Sequence, residues 1–286
     1  MRRCCFLTTD DLTGQILDDD LTFEPLKELG WDVSVVSWRA RDIEWNEFDA
    51  VVIRTTWDYH NDPLKFLKTL RQIKARGPRL FNPLDLVEWN LEKTYLAELG
   101  SHGVAIVPTL YCDEGLGPKQ IDEFCQALES DEMVIKPQIG ANSDHAYRVT
   151  EYQSQLAEVF AKRPYLVQPF MPNINSEGEY SLFHFGGRFS HAVLKTPAAG
   201  DFRVQQEHGG AIRPVEATPG MLMGAEAAIS YFEKPPLYAR TDLVRDVEDN
   251  FLLMELELIE PSLYFRCDPA AAGRFASAFA ERMNES

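Results

Sequence analysis

The chain has 286 residues, 45% of them hydrophobic, with a formal net charge of −17, enough for one large layered domain or two to three small ones. No basic block able to track a phosphate backbone is present, which argues against nucleic acid and against an anionic membrane surface as partners. Apolar runs stay far below the roughly 20 residues that span a bilayer, and MRRCCFLTTDD turns acidic before a signal-peptide core could form, so a cytoplasmic location is expected.

The first third alternates strand and helix. RCCFLTT reads as a strand, FEPLKELG as a helix closed by Gly30, and DVSVVSW as a second strand. FDAVVIRTTWDYH is a buried strand ending in a polar cluster, and DPLKFLKTLRQIKARG a helix with Pro63 in its first turn. This alternation predicts a parallel sheet, whose ligands meet the carboxyl ends of strands. Arg54, Thr55, Thr56, Trp57 and Asp58 are therefore candidates for substrate contact, although a strand-to-helix loop capped by Asp58 or Asn61 accounts for the same residues.

FNPLD closes this unit with Asn82-Pro83 as a turn. LVEWNLEKTYLAELGSHGV predicts a helix that stops at Gly100, VAIVPTLYC a strand, and Lys119 to Ser130 another helix. From Tyr165 the pattern becomes β: YLVQPF, then EYSLFHFGGRFSHAVLK with a glycine turn at Gly186 and Gly187, then LYARTDLV through FLLMELELIEP. A final helix runs from Asp268 towards Met283. Five cysteines (Cys4, Cys5, Cys112, Cys125 and Cys267), an odd count without CxxC spacing, point to reduced side chains rather than disulfides or a zinc knuckle.

The familiar nucleotide loops, a serine-hydrolase elbow and an HExxH pair are all absent from the sequence. The charges set into strands remain. In EMVIKPQIG, Lys136 ends an apolar strand and Pro137 fixes the exit into a polar turn whose backbone N–H groups suit phosphates. An ammonium held inward there needs an anion, whereas a flexible stem reaching solvent needs none. In FLLMELELIEP, Glu255 and Glu257 share one strand face while Leu256 and Leu258 pack behind. Two such carboxylates, roughly 7 Å apart, call for a cation, most simply Mg2+ with Asp242 of YARTDLV as third ligand. An edge strand with a solvated acidic face is the alternative, and Glu260 is a rival ligand. Arg203, in LKTPAAGDFRVQQEHGG, offers a planar fork for phosphate or carboxylate, and Gly209-Gly210 allows close backbone approach to a ligand. His184, His191 and His208 read as packing residues.

Taken in order from about Asn90 to Pro261, these stretches resemble the ATP-grasp superfamily, in particular its branch with glutathione synthetase and the ribosomal-protein glutamate ligases. The preceding α/β unit resembles that family's pre-ATP-grasp domain. RTTWDYH and ELELIEPSLYF are most similar to the group of small ATP-grasp enzymes that includes O-ureido-D-serine cyclo-ligase. The resemblance implies an α/β chain: a parallel pre-ATP-grasp domain over 1–85, then a two-lobed α+β ATP-grasp fold over 86–168 and 169–286. It implies phosphate contacts at Lys93, Lys136, Lys195 and Arg203, an adenine hinge at Gln168, Pro169 and Phe170, and a ribose contact at Glu179. Pro169 departs from the family by removing a hinge N–H. Metal ligands follow at Asp242, Glu255 and Glu257, where Glu257 stands in place of the usual asparagine.

The function so implied is ATP-dependent ligation, using one or two Mg2+ ions with Mn2+ as an alternative. A carboxylate or carbonyl-type oxygen is activated by phosphorylation and an amine on an amino-acid-like small molecule is coupled to its carbon. Lys136 and Arg203 are the expected catalytic residues, acting by charge and position. A nucleotide-binding homologue that has lost ligation and a small-molecule kinase are the rival readings. A homodimer is the first expectation for a chain of this size.

Overall fold

The computed structural model describes residues 1–113 and 115–285. Strands β1 (Arg2–Thr8), β2 (Trp31–Ser37), β3 (Ala50–Thr55) and β4 (Arg79–Phe81) form a parallel sheet in the order β2-β1-β3-β4. Every residue of β3 is buried, as expected for a central strand covered on both faces. Helix α1 (Phe23–Glu28) links β1 to β2, and α2 (Pro63–Arg76) links β3 to β4. The α2 helix starts at Asp62, whose carboxylate accepts from the Lys65 N–H at 3.2 Å, and ends at Gly77 with φ 109°. Its buried stripe of Phe66, Leu67, Leu70 and Ile73 packs with Trp38, Val51 and Ile53.

Where one helix is expected, there are two: α3 (Leu84–Asn90) and α4 (Tyr95–Ser101), separated by a break that contains Lys93. Continuous helical periodicity conceals this break, which tertiary hydrogen bonds enforce. Tyr95, Leu96 and Leu99 pack with Leu182, Leu253 and Leu256 of the C-terminal sheet, although the sequence groups them with the middle unit.

The middle sheet is antiparallel, built from β5 (Leu110–Cys112), β6 (Met133–Pro137), β7 (Tyr147–Val149) and β8 (Tyr165–Pro169) in the order β5-β8-β6-β7. Helices α5 (Pro118–Leu128) and α6 (Ser154–Val159) complete it, with Ile121, Phe124 and Leu156 buried against Met133, Tyr165 and Val167. Of the strand expected over VAIVPTLYC, only Leu110–Cys112 pairs within this sheet; Ile106 bridges instead to Leu253.

After the single turn α7 (Asn173–Ser176), β9 (Glu179–Phe185), β10 (Arg188–Thr196), β11 (Ala211–Val215), β12 (Tyr238–Arg245) and β13 (Phe251–Glu257) form an antiparallel sheet in the order β11-β10-β9-β12-β13. The β9–β10 turn uses Gly186 and Gly187 at φ 58° and 82°, the left-handed backbone a tight hairpin demands. Helix α8 (Pro219–Ile229) covers one face; its apolar residues fall on every side, so no helical period marks it in the sequence. Helix α9 (Ala271–Asn284) wedges between this sheet and the N-terminal one. Its Phe279 ring lies 4.8 Å from Trp31 and 5.6 Å from Phe81, and Phe275 lies 5.5 Å from Phe185. The three sheets span residues 2–81, 110–169 and 179–257, so Pro169 ends the middle sheet rather than opening the last unit. Ser286, the last residue of the expected C-terminal lobe, lies outside the described residues. None of the described helices is long and apolar enough to cross a membrane.

Candidate active site

A deep cleft opens where the three sheets meet, lined by β6, β8, β12, β13 and two loops, 138–146 and 202–207. Lys93, Lys136, Gln168, Pro169, Phe170, Glu179, Lys195, Arg203, Asp242, Glu255 and Glu257 all line it. The fold brings these expected site residues together from eight separate elements between residues 93 and 257.

The break between α3 and α4 positions Lys93. Its backbone N–H donates to the Gln138 carbonyl at 2.9 Å and its Nζ to the Gly140 carbonyl at 2.8 Å. The same break ties β13 down: Asn90 donates to the Leu256 carbonyl and accepts from the Leu258 N–H, each at 2.9 Å, and the Leu256 N–H donates to the Tyr95 hydroxyl at 3.0 Å. Leu256 and Leu258 are thereby fixed inward, 1% and 0% exposed, which turns Glu255 and Glu257 to the cleft. β13 is an edge strand of its sheet, yet its acidic face borders the cleft instead of bulk water.

The repulsion expected between these carboxylates is relieved by protein cations. Lys93 Nζ lies 2.9 Å and Lys136 Nζ 3.7 Å from Glu255. Arg240 bridges Asp242, at 2.9 Å, and Glu257. Lys195 bridges Asp242, at 3.2 Å, and Glu179. Ser181 Oγ also donates to Asp242. The electrostatics follow. Burial disfavours the Lys136 ammonium and lowers its pKa, only partly offset by Glu255. At Lys93 burial acts the same way, but Glu255 outweighs it and the pKa rises. Burial would raise Asp242, but Arg240 and Lys195 hold it well below the usual carboxylate range. Glu257, which shares Arg240 and faces Asp242 and Glu255, is pushed up to about 7, with burial as the leading cause.

Arg240, which the sequence reading does not single out, lines the cleft between Asp242 and Glu257. Its signal was the R-x-D of YARTDLV, which places both side chains on one face of β12, with Cα partners Glu257 and Glu255 on β13. Tyr59, Glu260 and Tyr264 also line the cleft.

Other expectations change. Among Arg54 to Asp58 only Trp57 reaches the cleft. Arg54, 2% exposed, is held by Asp19 at 2.9 Å and the Pro261 carbonyl at 3.0 Å; Thr55 bonds Thr8, and Thr56 is fully buried. Asp58 accepts from the Trp38 indole and Arg39, both at 2.7 Å. Arg54, Thr55 and Thr56 are buried, Arg54 between Asp19 and Pro261, while Asp58, its side chain 30% exposed, is taken up by Trp38 and Arg39, so none of the four lines the cleft. At the hinge Pro169 has no N–H, and the Phe170 N–H donates to the Glu132 carbonyl at 2.8 Å, so neither offers a free donor. The Gly209-Gly210 pair serves its own loop: a Cβ at Gly210 would lie 2.1 Å from the Val204 carbonyl oxygen. Arg203 is half-buried and held by Asp201 at 2.8 Å.

Loop 138–146 is held from both sides. His60 Nε2 lies 3.2 Å from Asp144, and His208 Nε2 3.2 Å from the Asn142 carbonyl. Asn142, Ser143 and His145 all have positive φ, and the Asp144 and Ala146 N–H groups donate within the loop to the Ala141 and Ser143 carbonyls at 3.0 and 3.1 Å.

The donor set fits a polyphosphate with a hard cation: three lysines and an arginine for the anion, and oxygen-only carboxylates for the ion. No preassembled metal cage exists among the described residues, since each expected ligand is engaged by a basic side chain.

A two-lobed α+β body behind a parallel α/β domain, with basic and acidic side chains facing across the cleft, defines the ATP-grasp ligase class. The chain is 31% identical over 282 residues to the cycloserine biosynthesis protein DcsG of Streptomyces lavendulae, covering 91% of this chain and 92% of that one. It belongs to the same family of ATP-grasp ligases. The family described as the N-terminal domain of D-cycloserine synthetase DcsG matches residues 4–82. The crystal structure of D-cycloserine synthetase DcsG superposes with a TM-score of 0.85 at 28% identity, covering 99% of this chain and 100% of that one. The ATP-grasp ligase PsnB, solved with minimal precursor, Mg and ADP, shares the fold at TM-score 0.65 and 13% identity, covering 99% and 98%.

Proposed function

We infer that this chain is an ATP- and Mg2+-dependent ligase that couples a carboxyl or carbonyl carbon to an amine on an amino-acid-derived small molecule, as an amide-like bond or a ring closure. The observation that carries this reading is the facing of Lys93 and Lys136 with Glu255 on one cleft floor, beside Asp242 and Glu257. Support comes from the relatives: DcsG is described as a cycloserine biosynthesis protein and synthetase, and PsnB was solved with Mg and ADP.

When bound, the nucleotide and its ion supply a phosphoryl group that converts a reluctant leaving oxygen into a ready one. The chain's own part is positional and electrostatic. Lys93, Lys136, Lys195 and Arg203 meet the phosphates, and Asp242, Glu255 and Glu257 hold one or two ions, Mg2+ or Mn2+. Gln168 to Phe170 form the wall at the base, and Glu179 the ribose contact. Arg240, already between two carboxylates, concentrates positive charge where the reacting oxygen gains negative charge. Lys136 suits the same task because its buried ammonium is incompletely neutralised by Glu255. Trp57 is the substrate contact of the N-terminal unit, held by its indole N–H on the Glu260 carbonyl.

The test is an ADP-release screen of the purified chain with Mg2+ against amino acids and their ureido and hydroxamate derivatives, scored for a coupled product. ADP formation that depends on an amine-bearing compound, and that falls at least ~100-fold in Lys136→Ala, is the expected result. MgATP binding by calorimetry with no ADP from any compound makes the chain a nucleotide-binding protein. A stable phosphorylated product makes it a kinase.

A further inference from the structure

Among the described residues, the carboxylates of the cleft lining that are not exposed are matched to basic side chains, Glu260 excepted. Glu179, Asp242, Glu255 and Glu257 each touch a lysine or arginine. Glu260 lines the same cleft at 8% exposure, yet among the described residues its carboxylate makes no ion pair and accepts no hydrogen bond. A buried carboxyl without a partner is costly, and one at a cleft wall is positioned to take its partner from a ligand. Burial also raises its pKa well above the usual range, as expected for an unpaired site.

The surroundings define the ligand chemistry. The Trp57 indole N–H donates to the Glu260 carbonyl at 2.9 Å, which draws that ring to the same wall. Tyr59, buried beside it, has its phenol pKa raised by burial and then by the charge of Glu260. The Tyr59 hydroxyl makes no hydrogen bond among the described residues. One carboxylate with two aromatic side chains suits an ammonium group, which gains both the ion pair and the ring faces. Glu257 and Glu255 place negative charge and Lys93 and Arg240 positive charge near Glu260, but those two cations are paired with Glu255 and Glu257. Glu260 is therefore the carboxylate left to take a substrate ammonium while the reacting carbonyl lies among the basic side chains.

We propose that Glu260, flanked by Trp57 and Tyr59, receives the amino group of the amino-acid-type substrate and selects for substrates that carry one. This rests on the ligase reading above.

The test uses wild-type chain and Glu260→Gln, which keeps the shape and removes the charge. ADP release is measured with MgATP and the same amino-acid derivatives, each beside its desamino counterpart. Wild type is expected to favour the amine-bearing member at least ~10-fold in kcat/KM, the worth of one charge-assisted hydrogen bond. In Glu260→Gln that preference collapses through a raised KM for the amine. Calorimetric affinity for AMPPNP and the Mg2+ dependence stay unchanged, the former also reporting an intact fold. Retained discrimination in Glu260→Gln overturns the inference and leaves the ligase reading standing, whereas equal turnover of desamino compounds by wild type overturns both. A shifted Mg2+ dependence makes Glu260 an ion ligand and overturns it too. No ADP from wild type with any compound overturns the ligase reading and this inference together.

Discussion

Lys93 Nζ lies 2.9 Å from Glu255 Oε1, joining the break after α3 to the edge strand β13 across the cleft floor. The pair, with Lys136 at 3.7 Å, makes Glu255 the counter-charge for two buried ammonium groups. Glu255→Gln leaves both lysines without it and removes an expected ion ligand. ADP formation is expected to fall by about 100-fold or more. A steady-state assay at saturating Mg2+ checks this, and turnover within a few-fold of wild type removes Glu255 from the site.

Arg240 holds Asp242 and Glu257 apart by sitting between them. Removing it exposes two buried carboxylates to each other, and losing one partner of a buried charge pair typically costs about 3–5 kcal/mol. Arg240→Ala is therefore expected to unfold at lower urea than wild type. Arg240→Lys recovers only part of the difference, because an ammonium cannot reproduce the forked contact. Equal urea midpoints for all three proteins contradict this account.

Asn82 is fully buried and couples the N-terminal unit to the last sheet. It donates to the Tyr238 carbonyl at 2.9 Å and the Leu258 carbonyl at 2.7 Å, and accepts from the Leu237 N–H at 2.8 Å. Asn82→Leu strands three backbone groups at about 1–3 kcal/mol each. A loss of at least ~3 kcal/mol in equilibrium unfolding is expected, against little change for a surface substitution such as Lys68→Gln.

Two buried histidines set an acid limit on stability. Burial lowers His184 and His191 from the ordinary 6.5 to about 4. Between those values the unfolded chain takes up protons that the folded chain refuses, so stability is unaffected by these groups above about pH 6.5 and falls as the pH drops towards 4. The slope approaches about 1.4 kcal/mol per pH unit for each site. Neither ring nitrogen of His184 has a hydrogen-bonding partner among the described residues. His184→Phe should therefore flatten the fall in Tm between pH 6.5 and 4; an unchanged profile assigns the acid sensitivity elsewhere.

Local pattern was enough for the elements with a strong period or a clear stop. The β9–β10 hairpin, α2 between Asp62 and Gly77, and the two-residue alternation of Glu255 and Glu257 over buried leucines were legible because each depends on residues within a few positions. Short β4 and β7 and the uniformly apolar α8 carried no such signal.

The amino-acid sequence by itself determined the class: an α/β chain with a strand-end lysine, an acidic strand pair and a loop arginine in an order that resembles ATP-grasp enzymes. Only the tertiary structure decided which charges meet. Arg54 and Asp58, which the sequence reads either as ligand contacts or as part of a capped loop, lie off the cleft lining against Asp19 and Arg39, whereas Arg240, which the sequence reading does not single out, lies between two cleft carboxylates. The same structure leaves Glu260 unpaired at the cleft wall. The physical reason is that periodicity reports which face of its own element a side chain takes, while the charge or solvent opposite that face belongs to residues brought in from elsewhere in the chain.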